Sequence, residues 1–436
     1  MNAVSTQFDP LGPPAGLRET TRQRDWPDLP EPRAGRLRPL IARAMLRAAA
    51  GRLPVRIELP GGSVIGTGER GAPTVLVRDE AAFFARIGAG AAGFAESYMA
   101  GDWDCADLPG LFAVLASQVH KLLPAPVRAL RRLYIPRKPA EEDDTVEGAR
   151  RNISRHYDLS NDFFRLFLDP TMTYSSALFG PGDDLERAQL RKIDRLLDLT
   201  GTGPGTRLLE IGTGWGALAL RAAKRGATVT TVTNSAAQWQ LARSRAAEAG
   251  LGGRIDARLC DYREITGIHD AVVSVEMIEA VGICYLPGYF ALIDRVLAPG
   301  GRAAIQAITM PHRQMVATVG GQTWIHRYIF PGGQIPSRQV IGDAVAESTG
   351  LRISSEFAMG PHYASTLARW RDQFASVQPD VLRLGFSPAF VRMWDLYLAY
   401  SCGGFLAGYL DVCQFGLERP GSTGEAPLSR ISTKLH

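Results

Sequence analysis

Several features that would assign this chain to a familiar functional class are scarce or missing. The 436 residues include only five cysteines, and these are scattered: Cys105, Cys260, Cys284, Cys402 and Cys413. No two of them form a C-x-x-C pair, which is the usual signature of a zinc or dithiol redox site. We therefore predict no metal site and a reducing, cytoplasmic environment.

Long apolar stretches are also lacking. No stretch reaches the roughly 18 apolar residues that a membrane-spanning helix needs. The first residues, MNAVSTQFDPLGPP, have neither the charged start nor the apolar centre of a secretory signal. Any contact with a membrane is therefore expected to be peripheral, at its inner face.

Lysine is scarce, so arginine makes up most of the 49 basic residues, and the formal net charge is +5. Arginine binds phosphate well because its planar guanidinium matches the oxygens. No familiar nucleic-acid motif accompanies it, so we expect no nucleic-acid partner. The length and a hydrophobic content of 45% are sufficient for two domains, each with its own core.

What the chain does have is a glycine-rich loop. Leu208 to Gly216 reads LLEIGTGWG, and a helical pattern follows from Ala217 to Lys224. This order predicts a strand, a tight turn and a helix start. Glycine allows backbone conformations and close ligand approach that other residues do not, and a helix start offers unpaired N–H groups. The pattern predicts a cofactor loop.

The glycine spacing narrows the choice of cofactor. A dinucleotide loop favours G-x-G-x-x-G with a carboxylate about 20 residues later. Here the spacing is G-x-G-x-G, the next strand ends in Thr233-Asn234-Ser235, and Glu210 ends the first strand. This resembles class I S-adenosylmethionine (SAM) methyltransferases. A dinucleotide site and a purely structural turn remain the alternatives for this loop alone.

The segments after the loop continue the pattern. We predict strands at Asp270 to Val275 and Arg302 to Ile308, with a helix from Tyr289 to Leu297 and a turn at 298–301 between them. Strands alternating with helices predict a doubly wound α/β fold with a parallel sheet. Ligands of such sheets lie beyond the carboxyl ends of the strands, where the sequence places Glu210, Thr233, Asp261 and Glu276.

Composition divides the chain into five parts. We predict a disordered tail over 1–34, a small α+β domain over 35–125 and a basic segment with an acidic linker over 126–145. The catalytic domain follows over 146–419, and a second disordered tail covers 420–436.

Residues 36–50 combine apolar positions at helical spacing with arginines away from that stripe. Two interpretations follow. Such a helix can lie on an anionic membrane, or it can pack its apolar side against the protein as an ordinary helix. The second interpretation is the commoner outcome.

Eight segments in order resemble the cyclopropane-fatty-acyl-phospholipid synthase family. They are AESYMAGDWD (95–104), HYDLSNDFFRLFLDPTMTYSSALF (156–179), the glycine loop, VTTVTNSAAQ (229–238), CDYRE (260–264), VSVEMIEAVG (273–282), RYIFPGG (327–333) and HYASTLARW (362–370).

This resemblance implies methyl transfer from SAM to a cis double bond of a fatty acyl chain in a phospholipid. Attack by the alkene leaves a carbocation, and a base removes a proton. Proton loss with ring closure gives a cyclopropane, and loss without closure gives a methylene branch that a separate reductase could saturate. We predict the methylene branch, as in actinobacterial 10-methyl fatty acid enzymes, with the cyclopropane as the alternative.

In the resembling family a bicarbonate ion serves as base, held by a Cys backbone, a Glu, a His and a Tyr. The motifs assign the Glu to Glu279 and the Tyr to Tyr363. Ser176 stands where the Cys is usual, and Gln306 stands where the His is usual. Gln306 can hydrogen-bond an anion but cannot ionise. A catalytically silent lipid-binding homologue and a methyltransferase for a soluble acceptor therefore stay open.

The resemblance also implies the cofactor contacts and the partners. For SAM we carry over Tyr174, Ser175, Glu210, Gly212, Gly214, Thr233, Gln238, Tyr262 and Arg263. Glu210 either binds the methionine amine or caps the turn. Expected partners are an unsaturated phospholipid, the membrane surface and a second copy in a homodimer. The acyl tunnel is predicted from residues 163–168 and 394–410, which also suit a packed core.

Overall fold

The computed structural model of the protein describes residues 28, 29, 31, 37–69, 71–89, 92–118 and 160–419. The basic segment and linker at 126–145, the tail at 420–436 and the first residues of the predicted catalytic domain lie outside these ranges. So does most of the tail predicted for 1–34. The domain boundaries therefore remain predictions.

The first part of the chain is a small α+β unit. Its elements are α1 (Leu37–Ala50), β1 (Arg56–Glu58), β2 (Val64–Ile65), β3 (Thr74–Val77), α2 (Glu80–Ile87), α3 (Gly93–Met99), β4 (Trp103–Asp104) and α4 (Leu108–Ser117). The four strands form a mixed sheet in the order β2-β1-β3-β4. Asp79 and Asp107 are the N-cap residues of α2 and α4, and the side chain of each accepts a hydrogen bond from a backbone N–H in the first turn of its helix.

Helix α1 turns its apolar stripe outward. Leu37, Leu40, Ile41 and Met45 are 74%, 64%, 57% and 51% exposed. Their spacing puts them on one side of the helix. Within the described residues nothing covers this stripe, so the structure does not show the packing that the second interpretation expects.

The second part is built on a seven-stranded sheet. Its helices are α5 (Asn161–Arg165), α6 (Leu185–Leu199), α7 (Ala217–Lys224), α8 (Ala236–Glu248), α9 (Leu286–Val296), α10 (His312–Thr318), α11 (Trp324–Tyr328), α12 (Arg338–Ser348), α13 (Gly360–Ser376), α14 (Gln378–Arg383) and α15 (Pro388–Leu406). Its strands are β5 (Arg207–Ile211), β6 (Thr228–Thr233), β7 (Ile255–Leu259), β8 (His269–Val275), β9 (Leu297–Thr309), β10 (Arg352–Ala358) and β11 (Asp411–Glu418).

The strand order is β10-β11-β9-β8-β5-β6-β7. The five strands from β9 to β7 pair in parallel, and β11 runs antiparallel to β9 and β10. Buried valine, leucine and alanine side chains fill both faces of the central strands, as expected for a sheet covered by helices on both sides. The predicted doubly wound α/β fold is confirmed.

One predicted turn has a different form. Residues 298–301 lie within β9 rather than before it, and the register with β8 shifts across them: His269 pairs with Leu297, but Ala271 pairs with Arg302. Gly300 has φ +74°, which a glycine adopts without strain. The Pro-Gly-Gly segment therefore forms a bulge in a long strand.

The two parts of the chain share one hydrophobic core. Helix α4 crosses α15 closely at Gly403, where an added Cβ would lie 2.5 Å from Cβ of Phe112. Nearby, the Tyr98 hydroxyl donates to Asp395 Oδ2 at 2.7 Å. The Tyr328 hydroxyl, from the RYIFPGG segment, donates to Glu96 at 2.9 Å. The first part thus contributes directly to the surroundings of the sheet's ligand edge.

Candidate active site

The glycine loop has the backbone that its sequence predicts. Gly212, Gly214 and Gly216 have φ values of +97°, +51° and +88°. A Cβ at Gly212 would lie 2.4 Å from Cγ of Met277, so this position also needs glycine for space. Strand β5 ends directly before the loop and α7 begins directly after it.

The loop forms one wall of a cleft of about 130 Å³ at the carboxyl ends of the strands. The structure brings together eight of the nine predicted SAM residues in this wall: Tyr174, Ser175, Glu210, Gly212, Gly214, Thr233, Gln238 and Tyr262. Thr233 and Gln238 are joined by a 2.9 Å side-chain hydrogen bond. These residues are the candidates for holding the cofactor.

Arg263 is the exception, because it does not line the cleft. Its Nη1 lies 3.4 Å from Asp261 Oδ2. Its guanidinium also lies over the Tyr262 ring, 5.0 Å from the centroid. The guanidinium of Arg263 therefore contacts Asp261 and Tyr262 next to the cleft, and its contact with SAM remains a prediction.

Glu210 is buried in the cleft wall beside hydroxyl groups. The Thr231 Oγ1 donates to Glu210 Oε2 at 2.6 Å. The first two N–H groups of the loop, from Gly212 and Thr213, donate instead to the Val232 carbonyl. Glu210 therefore does not cap the turn. Burial raises the pKa of its carboxyl to about 8, and an ammonium group of a ligand would be its natural counter-charge.

This environment predicts that SAM binding releases a proton near neutral pH. Below about pH 8 the free protein holds the Glu210 carboxyl protonated, and a cation beside it favours the carboxylate. Calorimetric titrations at pH 7 in two buffers of different ionisation enthalpy should report release of about one proton. The release should disappear above pH 9 and in Glu210→Gln. Equal heats in both buffers for the unmodified protein would contradict this role.

Lys192 is a residue of the cleft that sequence reasoning missed. It lies on α6, is completely buried, and its Nζ donates to Ser175 Oγ at 2.6 Å. Burial lowers its pKa to about 8, against the opposing effect of the nearby Glu276 and Asp169 charges. Its regular helical setting gave no signal, since a lysine on an amphipathic helix is usually solvent-facing.

The Tyr174 ring stands between the cleft and the helices behind it. It stacks on Trp370 with centroids 5.2 Å apart, and its hydroxyl lies 2.8 Å from the Tyr397 hydroxyl. Packing on both its face and its hydroxyl fixes the orientation of the ring. An aromatic face held in this way can stabilise a cation by cation–π attraction.

Three of the four predicted catalytic residues converge on a carboxylate that was not among them. The Ser176 N–H and the Gln306 amide donate to Glu276 Oε1 at 2.9 and 2.8 Å. The Tyr363 hydroxyl donates to Glu276 Oε2 at 2.8 Å. Glu276 follows β8 at the sheet's ligand edge, and that position was its only sequence signal.

Gln306 is held in one orientation by a second row of side chains. Its Oε1 accepts a hydrogen bond from Gln414 Nε2 at 2.9 Å. Gln414 Oε1 in turn accepts one from Arg195 Nη1 at 2.5 Å. Because arginine only donates, each amide in the row is oriented, and the NH₂ group of Gln306 points at Glu276.

Glu279, the fourth predicted residue, lies beside this cluster but outside it. Its Oε1 accepts the backbone N–H of Ile308. Its Oε2 is buried and has no hydrogen-bond partner within the described part of the chain. Desolvation, and next the charge of Glu276, raise its pKa to about 8. Glu279 is therefore a largely protonated acid at neutral pH.

A second and larger cavity, of about 440 Å³, adjoins the cleft. Helices α4 and α15 and the 330–335 loop form its mainly apolar wall, which includes Ala116, Ile308, Tyr397, Phe405 and Leu410. The predicted tunnel residues at 163–168 are not in this wall. Phe163, for example, packs against Trp394 in the aromatic core with centroids 4.9 Å apart.

The donors expected to hold bicarbonate do not fit an additional anion. Ser176, Gln306 and Tyr363 already donate to Glu276. An added anion at the same donors would have to displace the Glu276 carboxyl group, whose oxygens already accept their hydrogen bonds. Elsewhere in the described residues there is no cluster of histidine, cysteine or acidic side chains suited to a metal ion.

Comparisons with known proteins agree with this geometry. The sequence model described as mycolic acid cyclopropane synthetase matches residues 145–415. The tuberculostearic acid methyltransferase UfaA1 of Mycobacterium tuberculosis is 49% identical over 390 residues, covering 87% of this chain and 91% of that protein. The cyclopropane-fatty-acyl-phospholipid synthase of Escherichia coli K12 is 33% identical over 343 residues, covering 77% of this chain and 86% of that protein.

Solved structures give the same result. The cyclopropane synthase MmaA2 of M. tuberculosis aligns with a TM-score of 0.58 at 33% identity, covering 62% of this chain and 97% of that one. The mycolic acid cyclopropane synthase CmaA1, solved with SAH and CTAB, aligns with a TM-score of 0.58 at 31% identity, covering 65% and 99%. The chain belongs to the mycolic acid cyclopropane synthetase family and is a SAM-dependent methyltransferase.

Proposed function

We propose that this enzyme transfers the methyl group of SAM to a cis double bond in an acyl chain of a phospholipid and releases a methylene-branched chain. The observation that carries the proposal is a shared wall. Tyr174, Glu276 and Ala280 line both the cleft and the apolar cavity. A methyl donor in the cleft would therefore meet a hydrocarbon chain in the cavity.

The residues at this wall suit the chemistry. SAM supplies an electrophilic methyl carbon on a positively charged sulfur. The π electrons of the alkene form the new C–C bond while the S–CH₃ bond breaks, and the neighbouring carbon becomes cationic. The fixed Tyr174 ring can stabilise this charge. The apolar cavity excludes water that would otherwise capture the cation.

The carbocation can then give either of two products, and the atoms balance in both cases. A hydride can move from the methylated carbon to the cationic one, after which proton loss from the new methyl gives a methylene branch on the chain. Alternatively, proton loss without the hydride shift closes a cyclopropane ring. The relative named as a tuberculostearic acid methyltransferase supports the branched product, and the relatives named as cyclopropane synthases support the ring.

The test is incubation with SAM and vesicles of a cis-unsaturated phospholipid, followed by mass spectrometry of the acyl chains. Both products have the same mass, so catalytic hydrogenation under mild conditions must separate them: a methylene takes up hydrogen and a cyclopropane does not. Saturable SAM binding without lipid product would favour the silent homologue. Methylation of a soluble acceptor in the absence of vesicles would contradict the lipid proposal.

We also propose that α1 holds the protein on an anionic membrane surface. Its exposed apolar stripe is accompanied by exposed arginines at 38, 47 and 52, the combination that binds acidic headgroups and the acyl boundary. Among the described residues no helix is long and apolar enough to cross a bilayer. A cytoplasmic location is supported by the scattered cysteines, and a homodimer and a downstream reductase are supported by the family resemblance.

The surface proposal predicts the effect of a double substitution. Leu40→Glu with Ile41→Glu should weaken binding to anionic vesicles about tenfold, because two exposed apolar side chains are lost from the interface. Vesicle co-sedimentation measures it. Leu382→Glu with Leu384→Glu, at two leucines that are each 44% exposed, is the matched control. Equal losses in both variants would contradict a specific role of α1.

A further inference from the structure

Glu276 occupies an unusual place in the site. It is the acceptor for three donors from three different elements: the Ser176 N–H, the Gln306 amide and the Tyr363 hydroxyl. It also lines both the SAM cleft and the apolar cavity. Its carboxylate is therefore at the point where the methyl donor and the acyl chain meet.

The backbone of Glu276 has a strained conformation. Its φ is +51°, in the left-handed region that glycine favours. A non-glycine residue in this region is strained, and such strain is concentrated at functional sites. The Glu276 N–H donates to the Gln306 carbonyl at 2.8 Å, which fixes the strained conformation. The same residue pair thus orients both the backbone and the carboxylate.

The surrounding charges suit a carboxylate that exchanges a proton. Desolvation raises the pKa of Glu276, while Lys192 on α6 and the three donors oppose that rise. Lys192 is also influenced by Asp169, and the other acidic group beside Glu276 is Glu279. A raised pKa makes the carboxylate a stronger base than one in water, and the charge of Lys192 favours its ionised form.

We propose that the carboxylate of Glu276 is the base that removes the proton from the methylated acyl chain, so that the enzyme carries within its own sequence the group that an exogenous bicarbonate ion would otherwise provide. This inference rests on the proposed function. It assigns Ser176, Gln306 and Tyr363 to positioning and stabilising Glu276 rather than to binding a free anion.

The step balances without a further reactant. One C–H bond of the transferred methyl group breaks, and its electron pair forms either the double bond of the methylene branch or the bond that closes the cyclopropane ring. The proton is transferred to Glu276 and then to water. The neutral S-adenosylhomocysteine and the neutral lipid product leave, so the net reaction releases one proton.

Glu276→Gly is the sharpest test because it removes the carboxylate and suits the left-handed backbone. Turnover should fall about 10²-fold or more, with the dissociation constant for SAM changed less than about threefold. Added bicarbonate or formate should restore turnover in a saturable way, because the three donors are then free to bind it. Glu276→Gln should be equally slow and not restored, since its amide fills the same space. Glu347→Gln, at an exposed position on α12, is the matched control.

The unmodified enzyme should methylate lipid at the same rate in carbon-dioxide-free buffer and in added bicarbonate. Dependence on bicarbonate would overturn the inference. So would full activity of Glu276→Gln, or a folded, SAM-binding Glu276→Gly that neither ion restores. Failure of the proposed function has a different signature, because then the unmodified enzyme would transfer no methyl group to lipid under any of these conditions.

Discussion

Replacing Glu279 by glutamine is expected to lower kcat about 10²-fold while the dissociation constant for SAM stays within about twofold. Glu279 lines the apolar cavity beside Glu276, and its buried Oε2 has no partner in the described structure. An unpaired buried oxygen costs stability, so it is expected where a function needs it. Its carboxyl can ionise as positive charge develops on the acyl chain, and glutamine cannot.

Single-turnover kinetics measures the chemical step that limits kcat, and calorimetric titration measures the dissociation constant for SAM. The Glu347→Gln variant again reports the effect of losing an acid elsewhere. Loss of SAM affinity in Glu279→Gln would contradict the assignment, because it would place this side chain in the cofactor cleft. Unchanged kcat would show that the cation does not develop close to it.

A large side chain introduced into the apolar cavity from helix α4 is expected to abolish most lipid methylation. Ala116 on α4 lines the cavity and not the SAM cleft. Ala116→Trp should reduce kcat/KM for vesicle lipid about tenfold or more, because an added indole would occupy space that the acyl chain needs. SAM affinity should not change.

Ser117→Trp is the control for this substitution. Ser117 is the next residue on the same helix, and it is exposed. If both tryptophans lower activity equally, the effect comes from disturbing α4 and not from the cavity. If Ala116→Trp has full activity, the acyl chain does not use this cavity and the proposed contribution of α4 is wrong.

The sequence predicted the parts of the site that depend on backbone geometry. Helix α7 begins and ends at the predicted residues and strand β6 ends at the predicted Thr233, because hydrophobic periodicity and the glycine loop are local signals. The same local chemistry predicted the positive φ values of Gly212 and Gly214. The family resemblance supplied the nine expected SAM contacts, and eight of them line one cleft in the structure, in part because parallel strands bring their carboxyl ends to one edge.

The contacts between side chains that are distant in the sequence could not be predicted in the same way. Glu276 was placed at the correct edge, but its partners come from positions up to 100 residues away in the chain. Its left-handed backbone contradicts the preference of glutamate, so no local signal predicts it. The burial of Lys192 could not be predicted for a similar reason, because only tertiary packing turns that face of α6 inward.

The apolar segments show a third kind of limit. The stripe of α1 and the phenylalanines near residue 163 have equally apolar patterns, yet the first is exposed and the second is core. Periodicity identifies the apolar side of an element but not what covers it. The cavity wall is assembled from α4, α15 and the 330–335 loop, which only the complete fold brings together.

The most direct measurement of the central claim uses SAM with a trideuterated methyl group and vesicles of a cis-unsaturated phospholipid. If a methyl group is transferred at the wall formed by Tyr174 and Glu276 and is then deprotonated there, mass spectrometry of the acyl chain should find two of the three deuterons retained. Retention of all three deuterons in the lipid, or their absence from it, would contradict the account.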